Sequence, residues 1–87
     1  MGQLANALGK KIRAQRKAKG ISQDALALSC KIDRSYMGRI ERGEVNLTVE
    51  KLYSIAEVLQ CEPALLLPSS SSVQSPYSGI GQSDISP

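Results

Sequence analysis

The sequence predicts an all-α protein: a compact bundle of four to five helices over residues 1–68, then a flexible Ser-rich C-terminal tail over residues 69–87. Three observations lead there. Apolar residues recur at helical spacing to about residue 67. No stretch alternates apolar and polar over a strand's length between hairpin turn signals. Ser22, Asp33 and Thr48 each stand just ahead of a periodic segment, where a helix N-cap belongs.

The first helix is expected from about Gln3 to Lys19. Leu4, Leu8 and Ile12 recur every four residues as one apolar stripe, and Lys10, Lys11, Arg13, Lys17 and Lys19 take much of the rest. Gly20 is its stop, preceded by cations that suit the negative end of the helix dipole. Ser22 caps a second helix that has Asp24 in its first turn and ends near Ser29 or Cys30. Asp33 caps the third, which runs to Arg42 with Gly43 as the C′ residue. Ile32, Met37 and Ile40 point toward the core there; Arg34, Ser35, Gly38, Arg39 and Arg42 fall on the opposite face. Thr48 caps the fourth helix, in which Leu52, Ile55, Ala56 and Leu59 follow the i, i+3, i+4, i+7 pattern. Glu62-Pro63 opens a short fifth turn through Leu67, with Pro at a tolerated early position and Pro68 as the stop. Residues 69–87 hold eight Ser, two Pro and two Gly, too little apolar surface for a core, and read as a disordered tail or linker.

Composition removes whole classes of function. The chain has 87 residues, one domain at most, with little room for a deep catalytic cavity. It contains no His, so it has no His base, no Ser-His or Cys-His pair and no His-containing metal site. Cys30 and Cys61 alone cannot build a four-ligand zinc site and read as small buried or half-buried thiols. No phosphate loop is present, and no enzyme, cofactor or metal is expected. No segment is long and apolar enough to act as a signal peptide or span a bilayer, so a cytoplasmic protein without membrane contact is expected.

The net charge of +3 conceals a division. Residues 1–43 carry ten Lys/Arg against three acids, for +7, and residues 44–87 carry one Lys against five acids, for −4. The basic half suits a polyanion. Spacing narrows this further. The second helix, a turn of three to four residues and the third helix make a unit of about twenty residues from Gln23 to Arg42. Ala27 supplies the small side chain needed where two helices cross. That is the pattern of a helix-turn-helix.

The runs Ile12-Arg13-x-x-Arg16, Gly20-Ile21-Ser22-Gln23-Asp24-x-Leu26-Ala27 and Ile32-x-x-Ser35-Tyr36-Met37-x-Arg39-Ile40-Glu41-Arg42-Gly43 resemble the phage repressor/Cro-type helix-turn-helix transcriptional regulators. Asn46-Leu47-Thr48 and Leu52-x-x-Ile55-Ala56-x-x-Leu59 continue the likeness, which covers roughly residues 8–67. It implies a repressor-like DNA-binding domain over residues 1–68, with helix 33–42 in the major groove of a double-stranded DNA operator. A homodimer on a palindromic site is expected, because one recognition helix covers only a few base pairs.

The implied base contacts are Arg34, Ser35, Gly38 and Arg39. A guanidinium can bridge guanine O6 and N7, and Gly38 would let the helix backbone approach the groove. The implied phosphate contacts are Gln23, at a helix N-terminus, with Tyr36, Arg42, Arg13, Lys11 and Lys31. Arg16 and Glu41 are implied as a structural ion pair. Lys31 departs from the pattern, since the position usually holds Gly with positive φ, and a non-Gly residue there is strained by about 1 kcal/mol. The expected dimer cluster is Leu65, Leu66 and Leu67 with Val58 and Leu59, although Leu65 and Leu66 could equally close the monomer core. A second reading is a protein-interaction module such as an antitoxin or bridging coactivator, with the C-terminal tail binding a protein partner.

Overall fold

The computed structural model describes residues 2–69, and these form an all-α bundle without strands. The elements are α1 (Gln3–Ala18), α2 (Gln23–Cys30), α3 (Arg34–Glu41), α4 (Val49–Leu59) and a closing 3-10 turn, Pro63–Leu66. The tail expected over residues 69–87 lies, from residue 70 onward, outside the described residues.

Local chemistry sets each boundary. The Ser22 hydroxyl accepts from the Ala25 amide at 3.0 Å, the Asp33 carboxylate from the Ser35 and Tyr36 amides at 3.0 and 3.3 Å, and the Thr48 hydroxyl from the Lys51 amide at 3.2 Å. At the other ends, Gly20 and Gly43 turn the chain through positive φ, 69° and 74°. Lys31 does the same at φ 56° and Gln60 at φ 54°. Lys31 is the residue expected to be strained, and the turn accepts the left-handed conformation: the next amide, of Ile32, closes α2 onto the Ala27 carbonyl at 2.9 Å. Pro63 begins the last turn, which stops at Leu66, one residue short of the expected end.

The core contains Leu8, Ile12, Leu26, Ala27, Met37, Ile40, Leu52, Ile55, Ala56, Leu59 and Leu66. Fully burying a side chain such as Ile12, Leu26 or Met37 contributes about 1.5–3 kcal/mol. α1 packs on α3, α2 lies against α3 and α4, and the 3-10 turn closes the bundle between α1 and α4. One face of α3 is therefore left uncovered.

Two expectations need correction. Leu4 is 56 % exposed, and the buried stripe of α1 is Ala5, Leu8, Gly9 and Ile12. Residues four apart drift by about 40° around a helix, so a strict every-fourth stripe leaves the core-facing side within two turns. Leu65 is also exposed; Leu66 alone of that pair closes the core, and Leu59 is fully buried and unavailable to a dimer.

Candidate nucleic-acid interface

The frame beneath the open face of α3 is held by a buried charge network. Arg16, near the end of α1, donates to Glu41, the last residue of α3, through Nε at 2.7 Å and Nη2 at 3.1 Å. Its Nη1 donates to the Ile21 carbonyl at 3.0 Å, and Gln23 at the start of α2 donates to Glu41 Oε1 at 3.1 Å. The Arg16 and Glu41 side chains are 11 % and 3 % exposed, and no buried side-chain polar atom lacks a partner among the described residues. The network fixes the angle among three helices, as a buried pair does when its remaining donors and acceptors are satisfied.

Above it, Gln23, Arg34, Ser35, Gly38, Arg39 and Arg42 line one shallow depression. This joins the four expected base-contact residues to two of the expected phosphate contacts. Gly38 is its floor: a Cβ there would meet Arg42 Nη1 at 3.1 Å and Gln23 Oε1 at 3.5 Å. Gly38 is accordingly buried beneath those side chains, not open on the surface as the helical pattern implied. Its bare backbone makes the depression possible.

The other expected contacts spread around this centre. Tyr36 sits on the flank, half-buried against the core, with Lys51 Nζ 5.9 Å from its ring centroid. Lys31 is exposed in the α2–α3 turn. Arg13 follows Gly9, the contact of α1 with α3, by one turn and stays on that side. Lys11 is two residues from Gly9, about 200° round the helix, and projects away from α3. Lys11, like Arg13, Tyr36 and Lys31, lies outside the residues that line the depression.

Two residues that sequence reasoning did not place at the site complete it. Asp24 Oδ1 is 2.6 Å from Arg34 Nε. Glu44 Oε2 is 2.7 Å from Arg42 Nε, and Glu44 Oε1 is 3.8 Å from Arg39 Nε. The hydrogen bond and charge of Arg42 hold the Glu44 carboxyl below its usual range, and the same contact raises Arg42. Asp24 had read as a helix-dipole residue only, and Glu44 follows the helix, where no periodicity reaches it. Elsewhere, burial pushes the Cys30 thiol up, and both cysteines are free. No group of three or more potential metal ligands occurs among the described residues, and no helix there is long and apolar enough to cross a membrane.

Comparison with known proteins places this geometry among relatives. A helix-turn-helix family model matches residues 12–66. The control protein C.BamHI of Bacillus amyloliquefaciens is 37% identical over 60 residues, 68% of this chain and 74% of that protein. The HTH-type transcriptional regulator DicA of Escherichia coli (strain K12) is 35% identical over 60 residues, 69% of this chain but 44% of DicA. The crystal structure of the restriction-modification controller protein C.AhdI from Aeromonas hydrophila superposes with a TM-score of 0.70 at 38% identity, covering 72% of this chain and 96% of that one.

Proposed function

The chain belongs to the helix-turn-helix family, and from that membership we propose a transcription regulator that reads double-stranded DNA with α3 in the major groove. One observation carries the reading: Gln23, Arg34, Ser35, Gly38, Arg39 and Arg42 converge on one exposed concavity, which is rich in hydrogen-bond donors. A duplex edge offers acceptors at guanine O6 and N7 and at phosphate oxygens, the complement of such a surface.

In this reading Arg34 and Arg39 contact base edges, Ser35 lies between them, and Gly38 leaves room for the Arg42 and Gln23 side chains above it. Gln23, Arg42, Arg13, Lys31 and the Tyr36 hydroxyl meet phosphates, which position the protein without reading sequence. A homodimer on a palindromic site extends the footprint. Of the expected dimer cluster, Leu65 and Leu67 are 53 % and 44 % exposed and remain available for it. The family is one of regulators, and the site holds no nucleophile–base pair.

The test is selection from a random duplex pool at moderate salt, repeated with Arg34→Ala and Arg39→Ala. The expected outcome is a motif of two half-sites in which each substitution flattens a different base position, worth about 1–3 kcal/mol there. Salt-sensitive binding with no enriched sequence, in the unsubstituted protein, would overturn the reading.

A further inference from the structure

The exposed guanidinium groups of α3 and its C-cap are each in contact with a carboxylate from outside the helix. Arg34 meets Asp24 of α2, and Arg39 and Arg42 share Glu44. These side chains are about half or more exposed, so packing does not force the pairs. Arg34 Nε, the inner nitrogen, lies 2.6 Å from Asp24 Oδ1, whereas Arg39 Nε stands 3.8 Å from Glu44 Oε1, a charge contact beyond hydrogen-bond reach, and Glu44 takes its hydrogen bonds from Arg42. The outer end of the fork is the part that can bridge guanine O6 and N7.

The backbone fixes where Glu44 stands. Its amide donates to the Arg39 carbonyl at 2.9 Å, and Gly43 before it takes positive φ against Asn6 of α1. Asp24 is equally anchored, in the first turn of α2 behind the Ser22 cap.

We propose that Asp24 and Glu44 are specificity-determining positioning residues, which hold Arg34 through its inner nitrogen and Arg39 by charge for end-on contact with guanine and repel unmatched phosphate backbone. The inference rests on the DNA-reading role of α3. It follows from two opposed effects of one negative charge. A guanidinium already held in place loses less side-chain freedom on meeting its base, which favours the matched sequence. A carboxylate beside a guanidinium also cancels attraction to phosphate, the main source of sequence-independent affinity. Together they widen the gap between operator and random DNA while the arginines stay in place.

The experiment uses the full chain, the selected operator duplex and a scrambled duplex of equal length, titrated over a series of salt concentrations. Asp24→Asn, Glu44→Gln and, as a remote charge control on α4, Glu57→Gln are compared. Glu57 is exposed and lies outside the depression. The expected result is that Asp24→Asn and Glu44→Gln tighten binding to scrambled DNA by about two- to fivefold, with a salt slope steeper by about 1, and do not tighten operator binding to match. Reselection should show Asp24→Asn flattening the base position lost in Arg34→Ala, and Glu44→Gln the one lost in Arg39→Ala. Equal gains on both duplexes, of the size Glu57→Gln gives, would overturn the inference while leaving the DNA-reading role intact. Absence of any operator preference in the unsubstituted protein would remove that role instead.

Discussion

Gly9 has no room for a methyl group. A Cβ would stand 2.5 Å from the Ile40 carbonyl oxygen and 2.6 Å from that of Glu41, so α1 and α3 touch backbone to backbone. Gly9→Ala gains helix propensity of about 1 kcal/mol yet must push α3 away. A net loss of about 2 kcal/mol is expected, a fall in Tm of about 10 °C in thermal unfolding; an unchanged or higher Tm would show that the helices can separate freely. Nothing in the sequence marked Gly9, because a glycine inside an amphipathic stripe looks the same whether its hydrogen is needed or not. Lys31 is the opposite case. The family resemblance implied a positive φ at its position, and the observed φ is 56°.

At the scale of elements, the caps were legible and the cross-links between helices only partly so. Ser22, Asp33 and Thr48 bond to amides two or three residues ahead, a range that sequence spacing covers directly. The pairing of Arg16 with Glu41 spans 25 residues and came from resemblance to a family, not from spacing. Gln23 was expected at phosphate; the structure also ties it to Glu41, so it links frame and site. Arg16→Ala leaves the Glu41 carboxylate, 3 % exposed, with the Gln23 side-chain amide as its remaining side-chain donor among the described residues. The expected loss is about 3 kcal/mol, seen as a lower urea midpoint at unchanged slope. A loss near that of a surface ion pair, under about 1 kcal/mol, would mean that water reaches Glu41 when Arg16 is gone.

Across the whole molecule, the 3-10 turn packs against both α1 and α4 and closes the bundle. Leu66 is fully buried there, while its neighbours Leu65 and Leu67 face outward. Leu66→Ala should destabilise by about 2–5 kcal/mol, and because it closes the bundle far from α3, the base preferences of whatever protein remains folded should not change. An altered sequence motif in that variant would place the turn in contact with the reading face. The run of three leucines gave no means of choosing among them, since a 3-10 turn buries one side chain and a helix would bury others.

The sequence by itself determined the helical class, the order and caps of the elements, and the exposed arginines of α3 and its C-cap. Each follows from spacing within a few residues along the chain, where helix periodicity and capping act. Only the tertiary structure decided that Gly9 must lack a side chain, and that Asp24 lies against Arg34 and Glu44 against Arg39 and Arg42. Those facts depend on how closely whole helices approach and on which carboxylate a folded backbone carries to which guanidinium. Distances between segments that are remote in sequence are set by packing, and no local pattern encodes them.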